Sequence, residues 1–281
     1  MKIYLTGSTG FVGTNLVSYF GSEVIFSKYK KGEGIKICEN VVIHLAGKAH
    51  DLQNVISSKD YYEVNTKLAI EVFDAFLASK AKIFIILSSV KAVADEVEEE
   101  LTEETTPNPK THYGKSKLLA EDYILSKIIP KDKRVYILRP CMIHGQGNKG
   151  NLNLLYKVVS KGIPWPLGAF NNKRSFCSID NLLFVIHEMI KRKDIPSGVY
   201  NVADDSPLST KEIVIFIAKS KNRNSRIWKV SKKVINTLAK LGDILYLPLN
   251  TERLDKLTQN YVVSNRKLLT AIGKDLPVNS K

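Results

Sequence analysis

Short apolar runs alternate with amphipathic segments through the first 140 residues of the chain. Helical spacing of the apolar residues predicts helices over 11–20, 61–79 and 111–127. The runs between them have the length and residue types of buried strands, and they are Ile3–Leu5, Val24–Phe26, Val41–Leu45, Ile83–Leu87 and Val135–Leu138. Strands and helices that alternate in this way build βαβ units, so we expect a doubly wound parallel sheet.

Residues 27–40 interrupt this alternation. The stretch is 14 residues long, which allows a turn and a short strand around Ile35–Ile37 but hardly another full helix. We therefore expect the connection between the second and third predicted strands to be abbreviated.

The pattern changes again after Cys141. Loops rich in glycine and proline come first, and further helices are predicted near 151–161, 180–192, 209–219 and 231–246. We predict a first domain over 1–140 and a smaller C-terminal α/β lobe over 141–281. Residues of about 175–205 are expected to pack back on the first domain.

A glycine-rich turn joins the first predicted strand to the first predicted helix. Its sequence is TGSTGFVG over Thr6–Gly13, and it follows the strand directly. Gly7 allows a tight turn, Gly10 lets the backbone approach a phosphate, and Gly13 lets the helix pack closely on the strand. The free N–H groups at the helix start suit a pyrophosphate. The first domain is therefore predicted to be a Rossmann-type dinucleotide-binding domain.

Composition narrows the classes of protein. A chain of 281 residues that is 44% hydrophobic can bury one large core, or a core and a smaller lobe. It contains no apolar run near the about 20 residues of a membrane span and begins in a strand instead of a signal sequence, so we expect a cytoplasmic protein. The three cysteines are far apart and lack metal-ligand spacing, so neither disulfides nor a metal site is expected.

The net charge of +14 is unevenly distributed. Residues 211–281 hold 15 Lys and Arg against 5 Asp and Glu. Such a lobe could bind an anionic substrate or an acidic membrane surface, or its lysines could simply be solvated. Residues 231–249 fit a basic amphipathic helix that either lies on a membrane or, as we favour, packs on its own domain. No motif indicates nucleic-acid binding, and the acidic run 95–104 is predicted to be a solvated loop.

Tyr113 and Lys117 are candidates for chemistry. Four residues apart on a predicted helix, they share one face. Tyr123 and Lys127 have the same spacing but lie nearly three turns further along. Tyr113 opens its helix near the carboxyl edge of the sheet, where parallel sheets bind ligands, so we select the first pair.

The chain resembles the extended short-chain dehydrogenase/reductases of the NAD-dependent epimerase/dehydratase family, which act on nucleotide sugars. The resemblance covers essentially the whole chain. It rests on Thr6–Gly13, His44-Leu45-Ala46-Gly47, Asn65 in YYEVNTKLA, Ser88-Ser89, YGKSK at 113–117, LRPCMIHGQGNKGN at 138–151 and RSFCSIDN at 174–181. The later motifs WPLGAFNNKRSF and YNVADD are similar to the branch that acts on UDP-N-acetylated sugars in bacterial O-antigen and capsule synthesis.

The resemblance implies that Ser89, Tyr113 and Lys117 are catalytic. Free tyrosine, with a pKa near ~10, is a poor acid or base at neutral pH. Lys117, together with an oxidised nicotinamide, is expected to lower the pKa of Tyr113 and to hydrogen-bond the nicotinamide ribose. Ser89 would orient the substrate oxygen, although a serine here could also be a turn or cap residue.

The resemblance also implies the binding residues. The NAD(P) cofactor is expected at Gly7, Thr9, Gly10, Phe11, Val12, Gly13, Lys28, Leu45, Ala46, Gly47, Asn65, Ser88, Tyr113, Lys117 and Pro140. A UDP-sugar substrate is expected at Ser89, His144, Asn151 and Arg174. For Asn151 a helix cap, and for Arg174 a surface arginine, are the alternatives.

Residue types near the site discriminate between reactions. Dehydratases of the family carry an Asp-Glu pair after the serine, whereas this chain has Val90 and Lys91, so dehydration is disfavoured. A 4-ketoreductase and a 4-epimerase share every catalytic residue. An acidic residue after the second strand would select NAD, but the chain has Ser27 followed by Lys28, Lys30 and Lys31.

These lysines favour NADPH over NADH, and therefore a reductase. We expect a 4-ketoreductase that acts on a UDP-4-keto-6-deoxy-N-acetylhexosamine in bacterial surface-polysaccharide synthesis. The alternatives are a 4-epimerase of UDP-N-acetylglucosamine or UDP-glucose and, in another class, a non-catalytic dinucleotide-binding sensor. A homodimer is expected from the resemblance, and a polyprenyl diphosphate carrier at a membrane is a further hypothesis from the basic lobe.

Overall fold

The computed structural model describes residues 1–23, 25–30, 32, 34–48, 57–148, 151–245 and 250–279. Several residues used above lie outside this described part: Val24, Lys31, Gly150 and the end of the stretch 231–249. The helices are α1 Phe11–Phe20, α2 Ser58–Tyr61, α3 Leu68–Ala78, α4 His112–Leu125, α5 Asn151–Ser160, α6 Ile179–Lys191, α7 Thr210–Ser220, α8 Lys232–Leu245, α9 Thr251–Thr258 and α10 Arg266–Ile272. None of these described helices is long and apolar enough to cross a bilayer.

The strands are β1 Lys2–Thr6, β2 Ile25–Lys28, β3 Val41–His44, β4 Ile83–Leu87, β5 Glu100–Leu101, β6 Arg134–Pro140, β7 Met142–His144, β8 Phe176–Ser178, β9 Gly198–Val202 and β10 Val262–Val263. Six of them form one parallel sheet in the order β2-β1-β3-β4-β6-β9. The strand order reverses between β1 and β3, and a ligand crevice is expected outside the carboxyl ends of the strands at such a point. The predicted doubly wound parallel sheet is confirmed.

Side chains of each strand point alternately to the two faces of the sheet. Ile3 and Leu5 join a core with α1 and α6, whereas Tyr4 between them joins a second core with α3 and α4. Burial on both faces explains why the strands read as continuous apolar runs. A third core lies among α5, α7, α8 and α9.

The segment 175–205 is divided between structural layers of the molecule. Helix α6 packs against α1 and contributes Leu182 and Val185 to the same core. Strand β9 then pairs with β6 at the edge of the large sheet. The rest of the C-terminal half surrounds the third core, while α10 returns to β9.

Two sequence predictions are wrong. The short strand around Ile35–Ile37 does not form; these residues have no regular structure, and both isoleucines pack on the second core as part of a loop. The acidic run is not a wholly solvated loop, because it contains β5, which pairs with the distant β10. The Asp95 carboxylate also accepts hydrogen bonds from the backbone N–H groups of Lys110 and Thr111.

Candidate active site

The glycine turn has the geometry that its sequence predicts. Gly7 adopts φ +73°, a conformation that favours glycine. A Cβ atom on Gly13 would lie 2.2 Å from the Gly7 carbonyl oxygen, and a Cβ on Gly7 would lie 2.6 Å from the backbone nitrogen of Ala46. Gly10 is the N-cap of α1, with an extended backbone. The turn and the start of α1 therefore form a cradle of bare backbone that fits a dinucleotide pyrophosphate.

The other residues predicted to bind the cofactor lie at the start of α1 or at the neighbouring edge of the sheet. Thr9 is exposed before the N-cap, and Phe11 and Val12 open α1, with Val12 buried in the first core. Lys28 is the exposed last residue of β2, next to the carboxyl end of β1. Pro140 ends β6 at the same edge of the sheet.

A loop after β3 forms the facing wall, with Leu45, Ala46 and Gly47. Asn65 fixes this loop: its Oδ1 accepts from the Lys48 backbone N–H at 2.8 Å, and its Nδ2 donates to the Lys48 carbonyl at 3.2 Å. The Asn65 Nδ2 also donates to the Ser116 hydroxyl on α4 at 3.0 Å. Asn65 lies in a π-helical turn, Tyr62–Lys67, a feature that is frequent at functional sites. Its observed bonds shape the cofactor crevice.

Tyr113 stands in the first turn of α4, where several contacts hold it. The Thr111 hydroxyl caps this helix by accepting from the Gly114 N–H at 3.2 Å. The Tyr113 ring meets Tyr61 edge-on, with 6.1 Å between centroids. Ser89 is hydrogen-bonded to Tyr113. The Ser89 hydroxyl also caps the turn that follows β4, so the functional and the capping interpretations both describe this residue.

Burial raises the pKa of Tyr113; the hydrogen bond with Ser89 opposes this increase, and Tyr61 adds to it. The expectation that Lys117, together with an oxidised nicotinamide, lowers the pKa of Tyr113 concerns the cofactor-bound protein and stays a prediction. Burial lowers the pKa of Lys117 itself to about 8, against the attraction of Glu121. The Lys117 ammonium donates to the Leu87 carbonyl at 2.9 Å, and it would lie 3.1 Å from a Cβ on Gly47.

Behind Lys117 lies a buried ionic network that sequence reasoning missed. Glu121, one turn further along α4, is fully buried and pairs with Arg139 of β6. The Arg139 Nε donates to one Glu121 oxygen at 2.9 Å, and the Ser88 hydroxyl donates to the other. Ser88, expected at the cofactor, thus directs its hydroxyl to Glu121. This network ties the ends of β4 and β6 to the helix that carries Tyr113 and Lys117.

His44 ends β3 beneath this site. Its Nδ1 lies 2.9 Å from the Thr6 hydroxyl, and its Nε2 has no hydrogen-bond partner among the described residues. Burial, followed by the positive charge of Lys117, lowers the pKa of His44 to about 3. A neutral imidazole is therefore built into the floor of the crevice.

The pKa of His44 predicts acid sensitivity. An unfolded chain binds a proton at this histidine below about pH 6.5, whereas the folded protein does so only near pH 3. The free energy of unfolding should therefore fall as the pH falls from 6.5 towards 3, by up to about 1.4 kcal/mol per pH unit from this group. Urea unfolding at several pH values measures the slope. His44→Gln should flatten it, and His112→Gln, at an exposed histidine, is the matched control. Equal slopes in all three proteins would contradict the assignment.

The predicted substrate residues lie further along the chain. His144 ends β7, and its Nε2 is 3.2 Å from Asp204, whose other oxygen accepts from the Ser178 N–H and from Asn181. Asn151 is the first residue of α5. Arg174 pairs through its backbone with Leu208 and Tyr261.

Tyr261 connects these substrate-side residues to the predicted catalytic ones. Its hydroxyl donates to the Ala94 carbonyl at 2.7 Å, in the segment that follows Ser89. Burial lowers the pKa of Arg174, and Tyr261 partly offsets this effect. The Lys91 ammonium lies 4.3 Å from the centre of the Tyr261 ring and donates to the Asp95 carbonyl. Tyr261 lies in no motif, and no sequence signal identified it.

The arrangement suits proton transfer beside a bound dinucleotide. A tyrosine hydroxyl, a serine hydroxyl and a buried ammonium follow the carboxyl edge of the sheet, next to a backbone cradle for a pyrophosphate. Among the described residues, no group of three or more His, Cys, Asp or Glu side chains is placed to hold a metal ion.

Comparison with known proteins agrees with this chemistry. The model of the NAD dependent epimerase/dehydratase family matches residues 33–203. A UDP-glucose 4-epimerase of Vibrio cholerae is 33% identical over 245 residues, which are 76% of this chain and 74% of that protein. An N-acetyl-alpha-D-glucosaminyl-diphospho-ditrans,octacis-undecaprenol 4-epimerase of Escherichia coli O157:H7 is 28% identical over 246 residues, 79% of this chain and 73% of that protein.

Solved structures share the fold over the full chain. MoeE5 in complex with UDP-glucose and NAD has a TM-score of 0.74 at 16% identity and covers 100% of this chain and 95% of its own. RMD from Pseudomonas aeruginosa complexed with NADPH has a TM-score of 0.72 at 19% identity and covers 99% and 94%. With its family model, its 33% identical relative and this fold, the chain belongs to the NAD-dependent epimerase/dehydratase family of extended short-chain dehydrogenase/reductases, and it is an NAD(P)-dependent sugar-nucleotide epimerase or reductase.

Proposed function

We propose that the chain is a 4-epimerase of a UDP-hexose, with UDP-glucose and UDP-N-acetylglucosamine as first candidates. The observation that carries the reaction class is the hydrogen-bonded pair of Ser89 and Tyr113 at the crevice, with Lys117 one turn along the same helix. Two relatives that match about three quarters of the chain are named 4-epimerases. These relatives support an epimerase, whereas the lysines after β2 favour a reductase, which is therefore kept as the second candidate.

In this proposal Tyr113 exchanges the proton of the sugar 4-hydroxyl. Bound nicotinamide supplies the hydride chemistry. Burial raises the pKa of Tyr113, so its hydroxyl suits the return of a proton to the sugar oxygen in the second half of the reaction, whereas in the first half the tyrosinate takes the proton of the 4-hydroxyl. Ser89 favours the tyrosinate through its hydrogen bond, and it is placed to hold the sugar oxygen beside Tyr113. The Lys117 ammonium anchors the nicotinamide ribose and opposes desolvation of the tyrosinate.

The diphosphate of the substrate would lie at the C-terminal half of the molecule. Arg174 supplies a partly buried positive charge, and α5 begins at Asn151 with free backbone N–H groups. His144, held by Asp204, lies at the end of β7. A sugar on a polyprenyl diphosphate offers the same diphosphate, so these contacts fit either carrier.

Direct assay tests the reaction. The protein with NAD is incubated with UDP-glucose or with UDP-N-acetylglucosamine, and products are separated to detect inversion at C4. A parallel reaction contains NADPH and a UDP-4-keto-6-deoxy-N-acetylhexosamine. We expect C4 inversion without net change in the reduced-nicotinamide absorbance. Stoichiometric NADPH consumption in the parallel reaction, with no inversion in the first two, would overturn the proposal.

A 4-ketoreductase is the second candidate, and Lys28 is the observation that favours it. This exposed residue ends β2, where the adenine ribose of a dinucleotide meets a Rossmann sheet. A cation at this place can pair with the 2′-phosphate of NADPH, a cofactor that a reductase consumes. The preference between NAD and NADP thus separates the two candidates.

Lys28→Glu should weaken NADPH binding about tenfold or more and change NADH binding far less, because a charge-assisted hydrogen bond to phosphate contributes about 1.5–3 kcal/mol. Fluorescence titration with each cofactor measures both constants. Lys219→Glu, which makes the same charge change on α7, is the control. Unchanged NADPH affinity would place Lys28 away from the ribose.

The expected homodimer and cytoplasmic location stay predictions.

A further inference from the structure

Helix α8 has a buried apolar face and, directly next to it, an exposed one. Its inner face, formed by Ile235, Ala239 and Gly242, is buried in the third core and against α9. Its outer face carries four large apolar residues at positions i, i+4, i+7 and i+11, each between 46% and 62% exposed: Val234, Leu238, Leu241 and Leu245. Ile244 beside them is 71% exposed. Packing among the described residues accounts for the inner face and leaves the outer side chains about half exposed.

A contiguous exposed row of this kind differs from scattered surface leucines. Isolated exposed apolar residues are normal, whereas contiguous apolar patches mark interaction sites. The helix is 14 residues long, and its outer face spans most of that length. The outer face is therefore a candidate interaction site.

The charges around the outer face indicate what kind of partner it would bind. With successive residues turned by about 100°, Ile244 lies beside the outer apolar row on the helix surface, and Lys233 and Lys240 lie just beyond Ile244. The acidic residue of α8, Asp243, is already engaged by the backbone N–H and hydroxyl of Thr251. Residues 211–281 carry 15 positive against 5 negative side chains. The apolar row is thus bordered by lysines on a strongly basic lobe.

This combination fits an anionic lipid surface better than a second copy of the chain. A symmetric dimer through this face would bring two equally basic lobes together, and the like charges would oppose association. An interfacial helix instead buries its apolar side at the boundary of the acyl chains, while its lysines reach anionic headgroups. Exposed Trp228, four residues before the helix, is of the type enriched at such interfaces.

We propose that the outer face of α8 docks the protein on a membrane surface that contains anionic phospholipid. The contact is peripheral, made by one face of one helix, and reversible. It does not depend on which reaction the crevice catalyses, so its failure leaves the 4-epimerase proposal untouched.

Vesicle co-sedimentation of the full chain tests this proposal. Two kinds of vesicle are used, one of phosphatidylcholine with phosphatidylglycerol and one of phosphatidylcholine alone, each at low and high salt. We expect binding to the anionic vesicles that weakens as salt rises. The double variant Leu238→Ser with Leu241→Ser should bind at least about tenfold more weakly, since each lost leucine removes buried apolar area.

Matched variants separate the apolar and ionic contributions. Leu125→Ser with Ile128→Ser removes two exposed apolar side chains at and just beyond the end of α4, and it should bind as the wild type does. Lys233→Gln with Lys240→Gln should weaken binding to anionic vesicles by a similar factor as the leucine variant. Circular dichroism confirms that each variant is folded.

Three results would overturn the proposal. The first is failure of the wild type to bind anionic vesicles at low salt. The second is equal binding of the leucine variant and the wild type, which would indicate general attraction to basic surface. The third is a wild-type dimer in light scattering that the leucine variant loses, which would assign the face to a second copy of the chain.

Discussion

Tyr113→Phe is expected to reduce turnover by about 10²–10⁴-fold, the usual contribution of a positioned acid/base group, while cofactor affinity stays close to that of the wild type. The substitution removes the hydroxyl that bonds Ser89 and leaves the ring in contact with Tyr61. Initial rates with saturating substrate give the loss of kcat, and cofactor titration gives the affinity. The effect should therefore be confined to the chemical step.

The chain offers a matched control for this variant. Tyr123 on the same helix forms the second Tyr-Lys pair, and its hydroxyl donates to Asp74 on α3 at 2.9 Å, away from the crevice. Tyr123→Phe should leave turnover within about twofold of wild type, since surface changes of this kind rarely shift stability by more than about 0.5 kcal/mol. Equal turnover of Tyr113→Phe and wild type would contradict the assignment of Tyr113 as the acid/base.

Glu121→Gln is expected to lower the free energy of unfolding by about 3–5 kcal/mol, because it leaves the Arg139 guanidinium charged and uncompensated in the interior. Both side chains are at most 5% exposed. Urea unfolding measures the loss. Glu63→Gln removes a surface pair with Lys67, and as the control it should cost no more than about 0.5 kcal/mol.

Glu121→Gln should also change the pH dependence of the reaction. Glu121 raises the pKa of Lys117, against the larger effect of burial. Its loss should therefore move the alkaline limb of the pH–rate profile to lower pH, by neutralising Lys117 below about pH 8. The double variant Glu121→Leu with Arg139→Met should recover much of the stability, because an apolar pair needs no desolvation. It should not recover the wild-type pH profile. Recovery of both would make Glu121 a purely structural residue.

Local pattern and motif spacing were sufficient for the framework of the first domain. Each of the five strands of the large sheet that lie within residues 1–140 has ends within two residues of a predicted apolar run, because buried strands are apolar along most of their length. The glycine turn could also be predicted from the local sequence, since the close approach of α1 to β1 excludes a Cβ at Gly13. Most long helices have ends within two residues of those predicted, because their spacing makes one face apolar. The predicted helix 61–79 is instead divided among α2, the π-helical turn Tyr62–Lys67 and α3.

Contacts between distant parts of the chain decided the rest. Strand β5 exists because β10, 162 residues later, pairs with it, and no local pattern of two residues can predict such a partner. The strand expected near Ile35 failed because its isoleucines found apolar contacts without a neighbouring strand. The sequence pattern likewise predicts no strand at β9, although pairing with β6 makes β9 an edge of the main sheet.

The predicted site shows the same division. The sequence by itself determined the candidates Ser89, Tyr113 and Lys117, because motif spacing and position at a strand end are local properties. The direction of the Tyr113 pKa, and the role of Glu121 behind Lys117, were decided only by the tertiary structure. Burial and ionic pairing depend on side chains from three separate elements, α4, β4 and β6, and their free energies arise only when those elements meet.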